Sequence, residues 1–401
     1  MSKQVRKELG VVLAGSASLA IAMGVGRFAF TPILPMMLHD GVLDLGFAGH
    51  LATANYIGYL VGALAAMLVP KKWDQTIIIK IALSLTVVLT GAMAFPFPQS
   101  WIALRFLAGA ASAVGFVFTS GWALAQLSGT AGSIGSAIYT GPGAGIALSG
   151  IVAIVMSAGG LTAQWGWATF ALMSAVMSAL IWGVFRRQTK AVDAFYLGTV
   201  RPASGRVARS EVPLFAVAYG LAGFGYIVTA TYLPVIAKNA IPGSPLLTIF
   251  WPMFGVSGVV GSLVAARVRK SADARLYLVA SYLVQAAGIA LSVLWQDAIG
   301  LALSSILVGV PFTAISFFAM NEVRRIRTSH HARYMGLLTA VFAVGQIMGP
   351  PVVGVILSHQ PSVDAGFALA LGIASITLVV GAAIFVAMII LFPAERTHRA
   401  V

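Results

Sequence analysis

Long, mostly apolar stretches alternate along this chain with short polar ones, and charges, prolines or polar turns mark each boundary. A helix needs about 20 such residues to cross a hydrocarbon layer. The pattern predicts spans at 11–38, 47–69, 77–96, 99–127, 134–157 and 162–185. After a polar stretch at 186–211, six more follow at 212–237, 246–266, 276–296, 298–321, 334–357 and 366–392. With twelve spans, an even number, both chain ends are expected on one face of the membrane.

Charge tests that ladder, because loops on the cytoplasmic face carry the excess of Lys and Arg. Of 25 Lys and Arg, 22 fall on the side of the chain ends, leaving Arg27, Arg105 and Lys238. A missed span would scramble this partition. The expected topology is multi-pass in a bacterial inner (plasma) membrane, with both termini cytoplasmic. The N-terminal run after Lys3, Arg6 and Lys7 reads as a retained first helix, since it continues past Gly24 without an obvious cleavage site.

Composition agrees: 59% of residues are hydrophobic and 9% charged, against about 25% charged in a soluble domain. The net charge of +14 is explained by the loops, so no nucleic-acid partner is expected. With no cysteine there is no thiolate metal site or cysteine nucleophile, and the absence of a GxxxxGK[ST] loop argues against ATP hydrolysis. Neither a cofactor nor a metal is expected. A membrane enzyme would need clustered His, Asp or Glu at one surface, and the sequence places none there.

The two sets of six spans align with each other. At an offset of 199, Gly24, Gly26, Leu34 and Pro35 match Gly223, Gly225, Leu233 and Pro234, and Gly62 and Leu64 match Gly261 and Leu263. At an offset of 200, Gly109 and Phe118 match Gly309 and Phe318, and Gly141-Pro142 recurs as Gly349-Pro350. The expected fold is an all-α membrane protein with twelve transmembrane helices in two pseudo-symmetric six-helix bundles. The bundles cover 1–185 and 212–401, a cytoplasmic linker covers 186–211, and a solute site is expected between the bundles near the midplane.

Ionisable residues inside a span cost at least about 2.5 kcal/mol and are candidates for function. Arg27 lies roughly 12 Å, and Arg105 roughly 8 Å, from the outer ends of spans 1 and 4, so the two share a depth. All eleven acids fall in loops, termini or helix ends. Arginine stays protonated at any reachable pH, so each guanidinium needs carbonyl oxygens, water or an external anion. For Arg105, bonds to span 1 carbonyls freed near Gly and Pro are an equal alternative to solute binding. Tyr226 and Ser305 occupy the repeat positions of Arg27 and Arg105, so intramembrane positive charge is confined to the first repeat. Asn55, Tyr56, Tyr59, Tyr139, Tyr226, Trp251, Gln285, Asn321 and Gln346 are candidate cavity-lining residues, each with helix packing as the plainer alternative. The pairs Gly141-Pro142 and Gly349-Pro350 are candidate hinge or gating points.

Four stretches carry a family resemblance: GVGRFAFTPILPMM in span 1, ANYIGYLVGAL in span 2, RFLAG opening span 4 and AYGLAGFGYIVTATYLPV in span 7. The chain resembles the major facilitator superfamily, and within it the YbfB/YjiJ-type branch, over essentially its whole length. The resemblance implies a secondary transporter working by alternating access. Gly135, Gly141, Pro142, Gly143 and Gly145 loosely fit the superfamily's span 5 antiporter pattern, which favours efflux. In the superfamily's acidic motif between spans 2 and 3 the usual Asp position is Ala66 here, which puts any charge relay built on it in doubt. The expected cargo is a small, carboxylate-bearing organic solute, and proton-coupled efflux of neutral or cationic drug-like compounds is the alternative. Protons are a candidate coupling ion, carried on the solute, on His50 or on a tyrosine. Membrane lipid is the surrounding partner, and a monomer is expected.

Overall fold

A computed structural model describes residues 3–70, 73–127, 135–186, 211–240, 249–268, 273–326 and 331–393. The linker expected over 186–211 lies almost wholly outside these residues. Twelve helices are long and apolar enough to cross a membrane. Spans 1–6 are Val5–His39, Leu45–Leu68, Gln75–Ala92, Pro98–Ala123, Ala137–Ala158 and Ala163–Ile181. Spans 7–12 are Glu211–Ala237, Phe250–Arg267, Ala274–Leu294, Ala298–Val323, Leu337–His359 and Val363–Leu391. Each overlaps a span expected from the hydrophobic pattern.

Several polar residues at span boundaries act as helix caps, which satisfy amides that a helix leaves unpaired at its start. Asp44 accepts from Phe47 N, Asp74 from Thr76 N, Asp273 from Arg275 N and Ser362 from Ala365 N. Asp297 accepts from the amides of Ile299 and Gly300 at the start of span 10. The Gly300 N–H is the main reason that the Asp297 carboxyl is held below the usual carboxylate range.

Packing repeats between the two sets of six. Span 2 lies on span 4 as span 8 lies on span 10, span 3 on spans 4 and 6 as span 9 on spans 10 and 12, and span 1 on span 5 as span 7 on span 11. The glycines show why. A Cβ on Gly109 would strike the Asn55 carbonyl, and one on its repeat partner Gly309 would strike the Phe254 carbonyl. Small residues therefore set backbone-to-backbone approach at equivalent crossings. Spans 5 and 8, spans 2 and 11, and the second part of span 1 with span 7 join the two sets. At the 5–8 crossing a Cβ on Gly143 would meet the Gly255 carbonyl oxygen at 2.7 Å.

Span 1 is not one regular helix. α-Helix over Lys3–Leu19 gives way to a π-helical stretch at Ala20–Val25, and α-helix resumes at Phe30–His39. Gly26 N and Phe28 N reach back five residues, to Ile21 O and Met23 O, while Thr31 N reaches back only three, to Phe28 O. Pro32 and Pro35 have no N–H to repair the ladder. In a regular α-helix the Gly26 and Arg27 carbonyls would bond the amides of residues 30 and 31. Here other spans take them.

Candidate functional site

Asn55 Nδ2 in span 2 donates to Gly26 O at 3.3 Å and to Arg105 O at 2.9 Å. Arg105 Nη2 in span 4 donates to Arg27 O at 3.0 Å. Arg105 is 2% exposed, and its guanidinium also lies 5.1 Å from the Phe30 ring centroid and 5.9 Å from that of Trp167. Of the two roles open to Arg105, the structure shows the bond to a span 1 carbonyl. Together, Asn55 and Arg105 hold the irregular turn that aims Arg27.

Arg27 is 3% exposed, and its side chain reaches across to the second set of six spans. Its Nη2 donates to Gln346 Oε1 of span 11, and Gln346 Nε2 donates in turn to the Tyr226 hydroxyl of span 7. One glutamine thus bridges Arg27 to the residue at its own repeat position. The guanidinium stacks over Tyr59 at 4.1 Å from the ring centroid and sits 5.3 Å from the Tyr56 ring and 5.2 Å from the Phe28 ring. Each such contact with a π face is attractive. Arg27 Nε has no hydrogen-bond partner. No salt bridge to Arg27 occurs among the described residues, so in this state a neutral amide and aromatic faces surround the charge.

The interface is also tied beyond Arg27, further along span 1 from the chain's start. Thr31 Oγ1 donates to Ala230 O at 3.0 Å, and the Tyr56 and Thr231 hydroxyls bond at 2.9 Å. Trp251 joins the same neighbourhood through its ring, whose centroid is 6.3 Å from that of Phe28. The structure therefore brings together Arg27, Tyr56, Tyr59, Tyr226, Gln346 and Trp251, with Asn55 and Arg105 as their immediate support.

Other expected site residues lie elsewhere. Tyr139 sits near the start of span 5, where its carbonyl accepts from Ser262 Oγ of span 8 at 3.2 Å and its ring lies 6.2 Å from Phe116. Gln285 Nε2 donates to Val308 O at 3.1 Å, joining spans 9 and 10. Asn321 and His50 are exposed. The hinge candidates Gly141 and Gly349, beside buried Pro142 and Pro350, press on Ser16 of span 1 and Ile227 of span 7. Each therefore packs against the first span of its own repeat. A cavity of about 260 Å³ lined by Arg6, Lys7, Trp122 and Arg186, and an apolar groove of about 450 Å³ beside Lys80 and Trp182, lie away from Arg27. Among the described residues no group of His, Cys, Asp or Glu could hold a metal ion.

A second charged cluster escapes a sequence reading. Arg275, at the start of span 9, is fully buried and bonds Asp273 Oδ2 at 2.7 Å, Phe392 O at 2.7 Å and Met388 O at 3.0 Å. Glu322 lies 3.5 Å away and Glu211 3.8 Å away. Asp273 is part-buried, whereas Glu211 and Glu322 are buried. The one available signal was two acids and an arginine at the ends of three spans that the orientation rule puts on one face.

The architecture is shared with a solved transporter. The crystal structure of a single-residue mutant of the nucleoside transporter NupG superposes with a TM-score of 0.70 at 15% identity, over 95% of this chain and 99% of that one. At that identity the match establishes the fold. A comparison with curated proteins finds no match. The family described as uncharacterised MFS-type transporter YbfB matches residues 19–386, nearly the whole described chain. Twelve apolar helices packed as two repeats agree with that family match: the chain belongs to the YbfB family of major facilitator superfamily transporters.

Proposed function

We propose that this transporter moves a small organic solute with a carboxylate end by alternating access, and that Arg27 receives the carboxylate. One observation carries the reading: a buried guanidinium on the seam between the repeats is met by a neutral glutamine and tyrosine rings instead of an acid. A permanent cation in a low-dielectric interior attracts an exchangeable anion, and the planar fork of arginine suits a carboxylate. Binding would displace Gln346 from Arg27 and so break a bond that joins spans 1 and 11. Solute occupancy is thereby coupled to the interface that has to open. Asn55 and Arg105 act as positioning residues through span 1. The hinge role of the Gly-Pro pairs, export as the direction, a bacterial inner membrane with cytoplasmic termini and a monomeric state belong to the same reading. Among the described residues no carboxylate faces Arg27, so a coupled proton would ride on the solute, on His50 or on a tyrosine.

The test compares organic acids with their amides, by thermal shift in nanodiscs and by counterflow in proteoliposomes. Acids should bind at least roughly tenfold more tightly than the matching amides, given the strength of charge-assisted pairs. Gln346→Glu would give Arg27 a built-in carboxylate, so it should raise the melting temperature and suppress acid binding together. Efflux of neutral or cationic compounds is the second reading, favoured by the span 5 glycine pattern. Equal binding of acid and amide would select it.

A further inference from the structure

We infer that the body of the solute is a planar aromatic ring, carried on the carboxylate that Arg27 receives; this inference rests on the proposed function above. Beside Arg27, six rings from five spans form a continuous chain of contacts. Phe28 meets Trp251 at 6.3 Å and Phe312 at 5.8 Å. Phe312 meets Tyr226 at 5.2 Å and Phe254 at 5.4 Å. Two pairs are close to parallel: Trp251 with Phe254 at 5.3 Å and 6°, and Tyr226 with Phe342 at 5.7 Å and 18°. The Arg27 guanidinium lies 5.2 Å from the Phe28 centroid. A carboxylate held there would place a ring one or two carbons away among these faces.

An aromatic cluster in a membrane bundle has a plain explanation, that helix packing requires it. The internal repeat tests that explanation. At the offsets that align the two halves, Trp251, Phe254 and Phe312 correspond to Ala52, Asn55 and Ser112. Those three are buried to 1% exposure or less, at least as deeply as their large counterparts, of which Trp251 and Phe254 are buried and Phe312 is half-buried. At these three positions the first repeat closes with smaller side chains, so the shared architecture does not call for rings there. At these three positions rings occur only in the second repeat, facing the repeat that supplies the cation. Trp251 adds a second sign: its indole N–H is buried without a partner, an arrangement that costs free energy unless a ligand acceptor meets it. Flat faces in near-parallel pairs suit a planar ring, because aromatic pairs gain from stacked and edge-to-face geometry beyond the area they bury.

The full-length protein in nanodiscs is titrated with phenylacetate, cyclohexylacetate and phenylacetamide, with dissociation constants taken from thermal shift. A merely apolar pocket would prefer the bulkier cyclohexyl group. The expected result is the reverse: phenylacetate binds roughly tenfold more tightly than cyclohexylacetate. Phe312→Leu should bring that ratio towards one, and Phe312→Tyr should restore it. Equal binding of the two acids, no binding of phenylacetate, or a ratio unchanged by Phe312→Leu overturns the aromatic proposal. Phenylacetamide separates the two readings: if it binds as well as phenylacetate while the ring preference holds, the aromatic site stands and the anion reading falls.

Discussion

Two arginines are buried to a similar degree in this protein, and their surroundings differ in kind. Arg275 has three carboxylates within 4 Å and two helix-end carbonyls, all from spans of the second repeat and the segments beside them. Arg27 has a glutamine amide and the faces of Tyr56, Tyr59 and Phe28. A buried cation with its own counter-charges is complete, and its removal leaves anions in a medium that penalises them. A buried cation that meets only neutral dipoles still carries a net charge that an entering anion can compensate. The first arrangement ties the ends of several helices together within one repeat. The second sits where the two repeats touch and must part. Arg105 lies between the extremes, with a carbonyl and two rings for company.

Replacements at the three positions sharpen the contrast. Arg275→Met should have the largest effect, a loss of about 3–5 kcal/mol in folding stability, read as a collapse of monodisperse protein or of the urea midpoint in detergent. Arg27→Met should leave the urea midpoint level or raised, because it deletes a charge that lacks an ionic partner. The same change should weaken organic-acid binding by roughly 100-fold, within the 2–5 kcal/mol expected for truncating one side of a buried charged contact. If Arg27→Met unfolds the protein while Arg275→Met does not, the comparison is inverted and the site assignment fails with it. Arg105→Met should cost about 1.5–3 kcal/mol of stability, the range for a hydrogen bond from a charged donor. Its binding defect should be smaller than that of Arg27→Met. Tyr56→Phe breaks only the neutral bond to Thr231, so about 1 kcal/mol is expected, visible as a small fall in melting temperature.

Much of the fold was legible along the chain. The position of each span follows from local hydrophobicity, and the internal repeat followed from glycines and prolines whose spacing survives in both halves. Arg27 stood out because charge in an apolar run is rare, and Tyr226 because it occupies the matching repeat position. Gln346 could be named as a candidate but not as the bridge between those two, because nothing local sets the rotation of span 11 against spans 1 and 7. Arg105 shows the same limit. Its bond partner is a carbonyl in the irregular turn that follows the π-helical stretch, and that turn comes from packing and proline placement in another span. Glu211 and Glu322 were read only as acids in loops or at helix ends. They are buried because the ends of spans 7, 9, 10 and 12 close over Arg275.

By itself the sequence determined that the chain crosses a membrane, how many times and in two related halves. In lipid every backbone polar group must be satisfied within its own helix, so each crossing needs its own apolar run, and such runs can be counted. Only the tertiary structure decided which buried charge is satisfied and which is left open. The partners of Arg105 and Arg27 lie 78 and 319 residues away along the chain. Contacts at that separation depend on how helices rotate and cross, which is settled by shape at many small interfaces together and not by any local run of residues.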